Sequence, residues 1–214
     1  MGSDKIGIKF GERNREYDEE RPQYLAEKLL LRGNFKVLDC GSGLGEFSVI
    51  MRDKGYNVTC IDGNGAFAEV TRAKGFESYQ CDFEKEKLPF KDNTFDGIVC
   101  LDVIEHIWDT RAFLKEIKRI LKYDGWFISS TPNYSFWRYR MKHLFGTLYS
   151  TPDSRHKRFY SFKSFSKILT DNNFEINDWF VISNIPKIKK RFIIKILPNF
   201  LGFQILIRSK KNWS

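Results

Sequence analysis

Between residues 36 and 131, short apolar runs alternate with stretches whose apolar residues recur every three to four positions. Runs of the first kind suit strands buried on both faces and the second kind suits amphipathic helices, so the alternation predicts βαβ units around a parallel sheet. The pattern places strands at Lys36–Cys40, Asn57–Asp62, Glu77–Cys81, Thr94–Leu101 and Gly125–Ser130. Helices fall between them at Glu46–Lys54, Ala66–Lys74 and Thr110–Lys122, the last with Phe113, Leu114, Ile117, Ile120 and Leu121 as its apolar positions. Asp124-Gly125 is a turn signal that puts glycine where this helix has to end. Ahead of the sheet, Glu20–Leu31 reads as a helix with Pro22 in its first turn.

The alternation stops at Pro132. Residues 132–160 are aromatic, basic and poorly periodic, and they read as an insertion lying over the end of the sheet. Ser161 then caps a helix running to about Asp171, and Phe174–Ile182 and Phe203–Arg208 are strand-like. Between those strands, in 185–202, cations interleave with bulky apolar residues over a length too great for a plain hairpin loop. The expected organisation is an N-terminal helical segment (1–34, whose first six residues carry no inference), a core (35–132), an insertion (133–160) and a C-terminal part of the same domain (161–214).

Composition sharpens this only in places. With 214 residues, 42% of them apolar, the chain can bury the core of one ample domain. It has no apolar run of about eighteen residues and no leader-like amino terminus, so a cytoplasmic location is expected. Cys40, Cys60, Cys81 and Cys100 are widely spaced with no C-x-x-C pair, the pattern of small core residues rather than disulfides or metal ligands. No metal is expected. The net charge of +9 is unevenly distributed: residues 133–214 hold 16 Lys/Arg against four acids, a balance of +12, which leaves residues 1–132 at −3. Such asymmetry suggests an anionic partner, whether a phosphorylated substrate, nucleic acid or a membrane surface. A solvated basic face is the plainer alternative.

The densest chemistry is the turn Asp39-Cys40-Gly41-Ser42-Gly43-Leu44-Gly45, which leaves one predicted strand and enters a helix. In an open parallel sheet, ligands bind beyond the carboxyl ends of the strands, and glycines let the backbone approach them closely. The spacing is D-x-G-x-G-x-G. It does not fit the dinucleotide pattern G-x-G-x-x-G, and no Gly-Lys-Ser/Thr follows to make a phosphate loop. An acid just before the glycines would repel a pyrophosphate but suits a cationic amino group. Asp62 ends the next strand, where a carboxylate reaches a ribose diol in folds of this kind; its bland alternative is a turn or cap acid.

Four segments, in order, carry a resemblance: VLDCGSGLGEF at 37–47, CIDGN at 60–64, CDFEKEKLPFKDNTFDGIVCLDVIEHI at 81–107 and LKEIKRILKYDGWFISSTPN at 114–133. The chain resembles the class I S-adenosylmethionine-dependent methyltransferases, in particular the small-molecule group typified by ubiquinone and menaquinone methyltransferases, over roughly residues 35–132. The resemblance implies an α/β fold, Rossmann-like and doubly wound, with a seven-stranded, mostly parallel sheet, an antiparallel last strand and helices on both faces. It implies that the core binds S-adenosylmethionine, yielding S-adenosylhomocysteine. Asp39 and the backbone of Gly41, Ser42, Gly43 and Gly45 would hold the methionine end, and Asp62, followed by Gly63, would take both ribose hydroxyls. Asp82 would receive the adenine amino group, with a surface acid as the alternative, Phe83 would offer its backbone N–H, and Leu101 would lie near the sulfonium.

Methyl transfer from a sulfonium is a direct displacement that needs alignment, and a base only for a neutral acceptor. Three histidines could serve near neutral pH. His106 follows the fourth strand at the sheet's carboxyl end and reads as a base or as a structural hydrogen-bonding group. His156, in Ser154-Arg155-His156-Lys157-Arg158-Phe159-Tyr160, resembles an acceptor-side segment of related enzymes. His143 has nothing to recommend it. Tyr134, Phe136, Trp137 and Tyr139, with Arg138 and Arg140, read as ordinary packing or as a lid gripping a ring or sugar, with Arg158 as a further cation for phosphate. Segment 185–202 suits peripheral contact with the inner face of a membrane, or a partner-binding hairpin. Pro198–Phe203 is similar to an ending found in polysaccharide-cluster methyltransferases. The expected activity is O-methylation of a small, lipid-linked or glycan-linked acceptor. The alternatives are methylation of tRNA or other RNA, and a non-catalytic S-adenosylmethionine-binding regulator.

Overall fold

The structure, a computed structural model, describes Leu30 and residues 33–145, 156–182, 200 and 202–212. Apart from Leu30, Phe200 and Gly202, the helix expected at Glu20–Leu31 and the basic-apolar segment 185–202 lie outside the described residues. The elements are β1 (Lys36–Cys40), α1 (Glu46–Asp53), β2 (Asn57–Asp62), α2 (Gly65–Ala73), β3 (Glu77–Gln80), β4 (Phe95–Leu101), α3 (Thr110–Ile120), β5 (Leu121–Pro132), α4 (Trp137–Leu144), α5 (Phe162–Asp171), β6 (Phe174–Ile182) and β7 (Gln204–Lys211). They form one seven-stranded sheet in the order β3-β2-β1-β4-β5-β7-β6. β7 alone is reversed, antiparallel to both β5 and β6, while the other pairings described are parallel.

Strand alternation sorts the core into two layers. Leu38, Ile61, Ile98, Cys100 and Phe127 face one way, onto Phe113, Leu114, Ile117 and Ile120 of α3 and Phe165 and Leu169 of α5. Val37, Cys60, Val99, Trp126 and Ile128 face the other way, onto Phe47 and Met51 of α1. The central strands are apolar on both faces for this reason. Leu114 and Ile117 are wholly buried, and emptying either site to Ala would remove about 2–5 kcal/mol. Helix entries are set by polar caps: Asn64 accepts from Ala66 N–H, Asp109 from Ala112 N–H, and Ser161 and Ser164 form a reciprocal box. All four cysteines are free and buried, as expected of small core residues.

Three local expectations are corrected. Helix α3 stops at Ile120, two residues before the predicted end, because Leu121 is already extended and paired with Phe95. The left-handed residue of the following turn is Asp124 (φ 56°), not Gly125. Gly125 is needed for space instead, since a Cβ there would lie 2.7 Å from the Leu121 side chain. The insertion contains helix α4, which its sequence WRYRMKHL hides because cations and bulky groups alternate without a clean apolar stripe.

Gly97 in β4 lies beneath Trp126, where an added Cβ would come within 2.2 Å of the indole. Gly97→Ala is expected to lower stability by about 1–3 kcal/mol, read as a shifted denaturant midpoint; an unchanged midpoint would show that the two-sided core is looser than described.

Candidate active site

Because β1, β2 and β4 run parallel, their carboxyl ends emerge along one edge of the sheet, and the strand order turns back between β1 and β4. The glycine turn occupies that point. Gly41 and Ser42 both donate their N–H to the Ile61 carbonyl (2.8 and 3.2 Å), and Gly45 N–H donates to Ser42 O (2.8 Å) before capping α1 without a side-chain bond. At Gly41 (φ 78°) a Cβ would meet Val103 Cγ2 at 2.2 Å, so the turn and the chain leaving β4 touch only because that position has no side chain. Gly43 (φ 52°) faces open space, with nothing within 4 Å of where its Cβ would stand.

Asp62 shapes this turn from β2. Its Oδ2 accepts from Gly43 N–H (2.9 Å) and its Oδ1 from Asn64 N–H (2.8 Å). Each carboxylate oxygen has a second lone pair, so the half-buried group keeps acceptor capacity for a diol. Gly63 beside it is exposed. Asp39 is the opposite case, only 3% exposed, with Ser48 Oγ donating to its Oδ2 at 2.5 Å. Burial, opposed by the Ser48 bond and reinforced by the charge of Asp62, pushes its pKa up to about 6. The same burial lifts the Cys60 thiol to about 11.

Along the edge, Asp82 accepts from Glu84 N–H (3.0 Å) and pairs with Lys85 (3.0 Å), which hold its carboxyl below the usual range. It caps its own turn. Phe83 packs its ring on Phe113 (5.7 Å between centroids), and Leu101 ends β4 half-buried. The next residue, Asp102, was not singled out from the sequence. It is left-handed (φ 56°), and its Oδ1 accepts from Ser130 Oγ (2.8 Å) and Gln204 Nε2 (2.6 Å). Both partners are remote in sequence, so no local pattern announces them.

His106 closes a single 3₁₀ turn, Ile104–His106, after β4. His156 comes back to it from the far end of the insertion, with ring centroids 4.7 Å apart. Tyr134 Oη bonds His156 Nδ1 at 2.8 Å and packs against Phe159 (4.5 Å between ring centroids). Backbone bonds fix the approach: Lys157 and Arg158 N–H donate to Glu105 O (2.8 and 3.0 Å). Glu84 joins three segments, accepting from Trp108 N–H and from Lys157 Nζ, both at 2.6 Å, while the Arg158 guanidinium donates to Trp108 O. The side chains of His143 and Arg138 lie outside the described residues.

Residues 10–178 match the model of a methyltransferase domain family. The chain belongs to the class I S-adenosylmethionine-dependent methyltransferases. An uncharacterised protein of Methanocaldococcus jannaschii is 32% identical over 189 residues, covering 87% of this methyltransferase and 73% of that protein. The ubiquinone biosynthesis O-methyltransferase of Rickettsia typhi is 29% identical over 176 residues, covering 74% and 69%. A solved S-adenosylmethionine-dependent methyltransferase of Archaeoglobus fulgidus shares the fold, with a TM-score of 0.68 at 19% identity over 93% of this chain and all of that one (100%). The open face at Gly43, the free acceptor capacity of Asp62 and the carboxylate of Asp39 suit a nucleoside bearing a cationic amino acid, which is the donor this family uses.

The buried Asp39 of the unliganded methyltransferase makes a testable demand on stability. Its raised pKa means that its favourable contribution is complete below the ordinary pKa of 3.8 and is lost as pH rises through about 6. Asp39→Asn, which keeps the Ser48 contact, should therefore gain on the parent by about 1.4 kcal/mol between pH 5 and pH 8, roughly the one pKa unit that separates pH 5 from its raised value. Denaturant unfolding at the two pH values reads the difference; a gap that does not widen with pH would place the charge elsewhere.

Proposed function

We propose that this methyltransferase O-methylates a small acceptor, free or linked to lipid or glycan, at the face formed by His106, His156 and Tyr134. The carrying observation is the convergence of the two imidazoles, 4.7 Å apart, at the sheet edge where the glycine turn also lies. Val103, against Gly41, precedes His106 by three residues and joins the two halves of the site. The Rickettsia relative is named for an O-methylation, which supports oxygen as the accepting atom. In this reading Asp39 and the backbone of Gly41, Ser42, Gly43 and Gly45 bind the methionine end, Asp62 with Gly63 the ribose, and Asp82 and Phe83 the adenine, with Leu101 beside the reacting carbon. S-adenosylmethionine supplies an electrophilic methyl group when bound. The chain's own work is to orient the acceptor, exclude water and hold the oxygen in line.

Three results test the assignment. Asp62→Ala should weaken S-adenosylhomocysteine binding by about 30-fold or more in calorimetry, since it removes charge-assisted bonds worth roughly 1.5–3 kcal/mol each. Parent affinity should fall as pH drops below about 6, because protonating Asp39 removes the anion that meets the donor's ammonium group. His106→Ala should lower turnover by about 10²-fold with cofactor affinity unchanged. The acceptor is found by incubating the enzyme with methyl-labelled S-adenosylmethionine and fractionated host extract: label in the lipid or small-molecule fraction supports the proposal, and label in RNA replaces it with the nucleic-acid reading.

A further inference from the structure

We propose that Glu105, His106 and His156 form a binding site for one divalent transition-metal ion, of the zinc, manganese or cobalt kind, at the acceptor face. Among the described residues this is the one group of three side chains whose ligand atoms gather, all lying within 4.8 Å of one another. One carboxylate and two imidazoles form a donor set that binds such ions while leaving coordination positions open. Ligands at bonds of about 2.1 Å in tetrahedral geometry stand roughly 3.4 Å apart. No pair therefore has to close by more than about an ångström and a half, within reach of rotations of the two rings.

Three further observations favour the assignment. Tyr134 Oη holds His156 Nδ1 at 2.8 Å, which fixes the ring and supplies the kind of outer partner that metal-binding imidazoles ordinarily carry. Glu105 is wholly buried, and its carboxylate lies beside the two imidazoles rather than in solvent. Lys157 and Arg158, whose backbone N–H groups bond the Glu105 carbonyl, turn their charged ends away, to Glu84 and to the Trp108 carbonyl. A buried carboxylate flanked by two imidazoles is a place where a cation is stabilising.

The consequence for the reaction rests on the acceptor reading above, whereas the binding of the ion does not. A cation between the two histidines lowers the pKa of an acceptor hydroxyl near it. The hydroxyl proton passes to water, the oxygen lone pair forms the new C–O bond, and the C–S bond breaks with its electrons remaining on sulfur. Neither imidazole then has to carry the proton. This also revises the expectation of a metal-free site, which sequence spacing alone could not challenge: Glu105 and His106 are adjacent, but His156 is fifty positions away.

The test is a titration of metal-stripped, untagged enzyme with Co²⁺ alone, followed by its visible absorption bands, and with Zn²⁺ alone by calorimetry. One ion per chain is expected, with affinity reduced by about tenfold or more in His156→Ala and in Glu105→Gln. Absence of binding at millimolar ion overturns the proposal, and so does binding that both variants retain. If Glu105→Gln does not fold, as judged by circular dichroism, His156→Ala decides alone. S-adenosylhomocysteine binding, measured separately without metal, reports on the methyltransferase reading and can survive the loss of this one.

Discussion

The site is organised by a single junction, where the N–H groups of Gly43 and Asn64 converge on the carboxylate of Asp62. With the Ile61 carbonyl, which receives both Gly41 and Ser42, it ties the exit of β1 to the exit of β2 and gives the glycine turn its shape. The absent side chain at Gly41 extends the junction to β4, because Val103 fills that space and the turn bearing His106 follows directly. The glycine turn and the turn bearing His106 are thereby referenced to one backbone frame.

The two halves are built from different materials. The donor side rests on main-chain bonds within parallel strands and on a fully buried acid, groups that open only when the sheet does. The face that carries His106 and His156 is held by side-chain ties at the rim, such as Glu84 with Lys157, whose side chains are 28% and 30% exposed. Ties of that kind contribute little to global stability and are weakened by salt. The glycine turn is therefore the stiffer of the two faces and the histidine face the more compliant.

The sheet was legible because its central strands are buried on both faces: β1 and β2 begin and end where the hydrophobic pattern says, and so does β6 at the sheet's edge. The glycine turn at the exit of β1 and Asp62 at the end of β2 stand where the sequence put them, because close backbone approach requires glycine at short spacing. The end of α3 was misjudged since Leu121 satisfies a helical stripe and a strand equally, and only pairing with Phe95 decides. The acceptor face was half visible. His106 and His156 stood out as titratable residues, but their meeting, the place of Glu105 beside them and the hold of Ser130 and Gln204 on Asp102 depend on contacts across long stretches of chain.

The reversal of β7 has a topological corollary. β6 runs with the parallel strands and β7 against them, so Ile182 and Gln204 both sit at the carboxyl edge, and Asn133 fixes the approach to β7 by donating its amide to the Gly202 carbonyl (2.6 Å). The connection between these two strands thus leaves and re-enters the sheet at its carboxyl end. Its length and charge are therefore free to differ without disturbing the register of any strand in the framework.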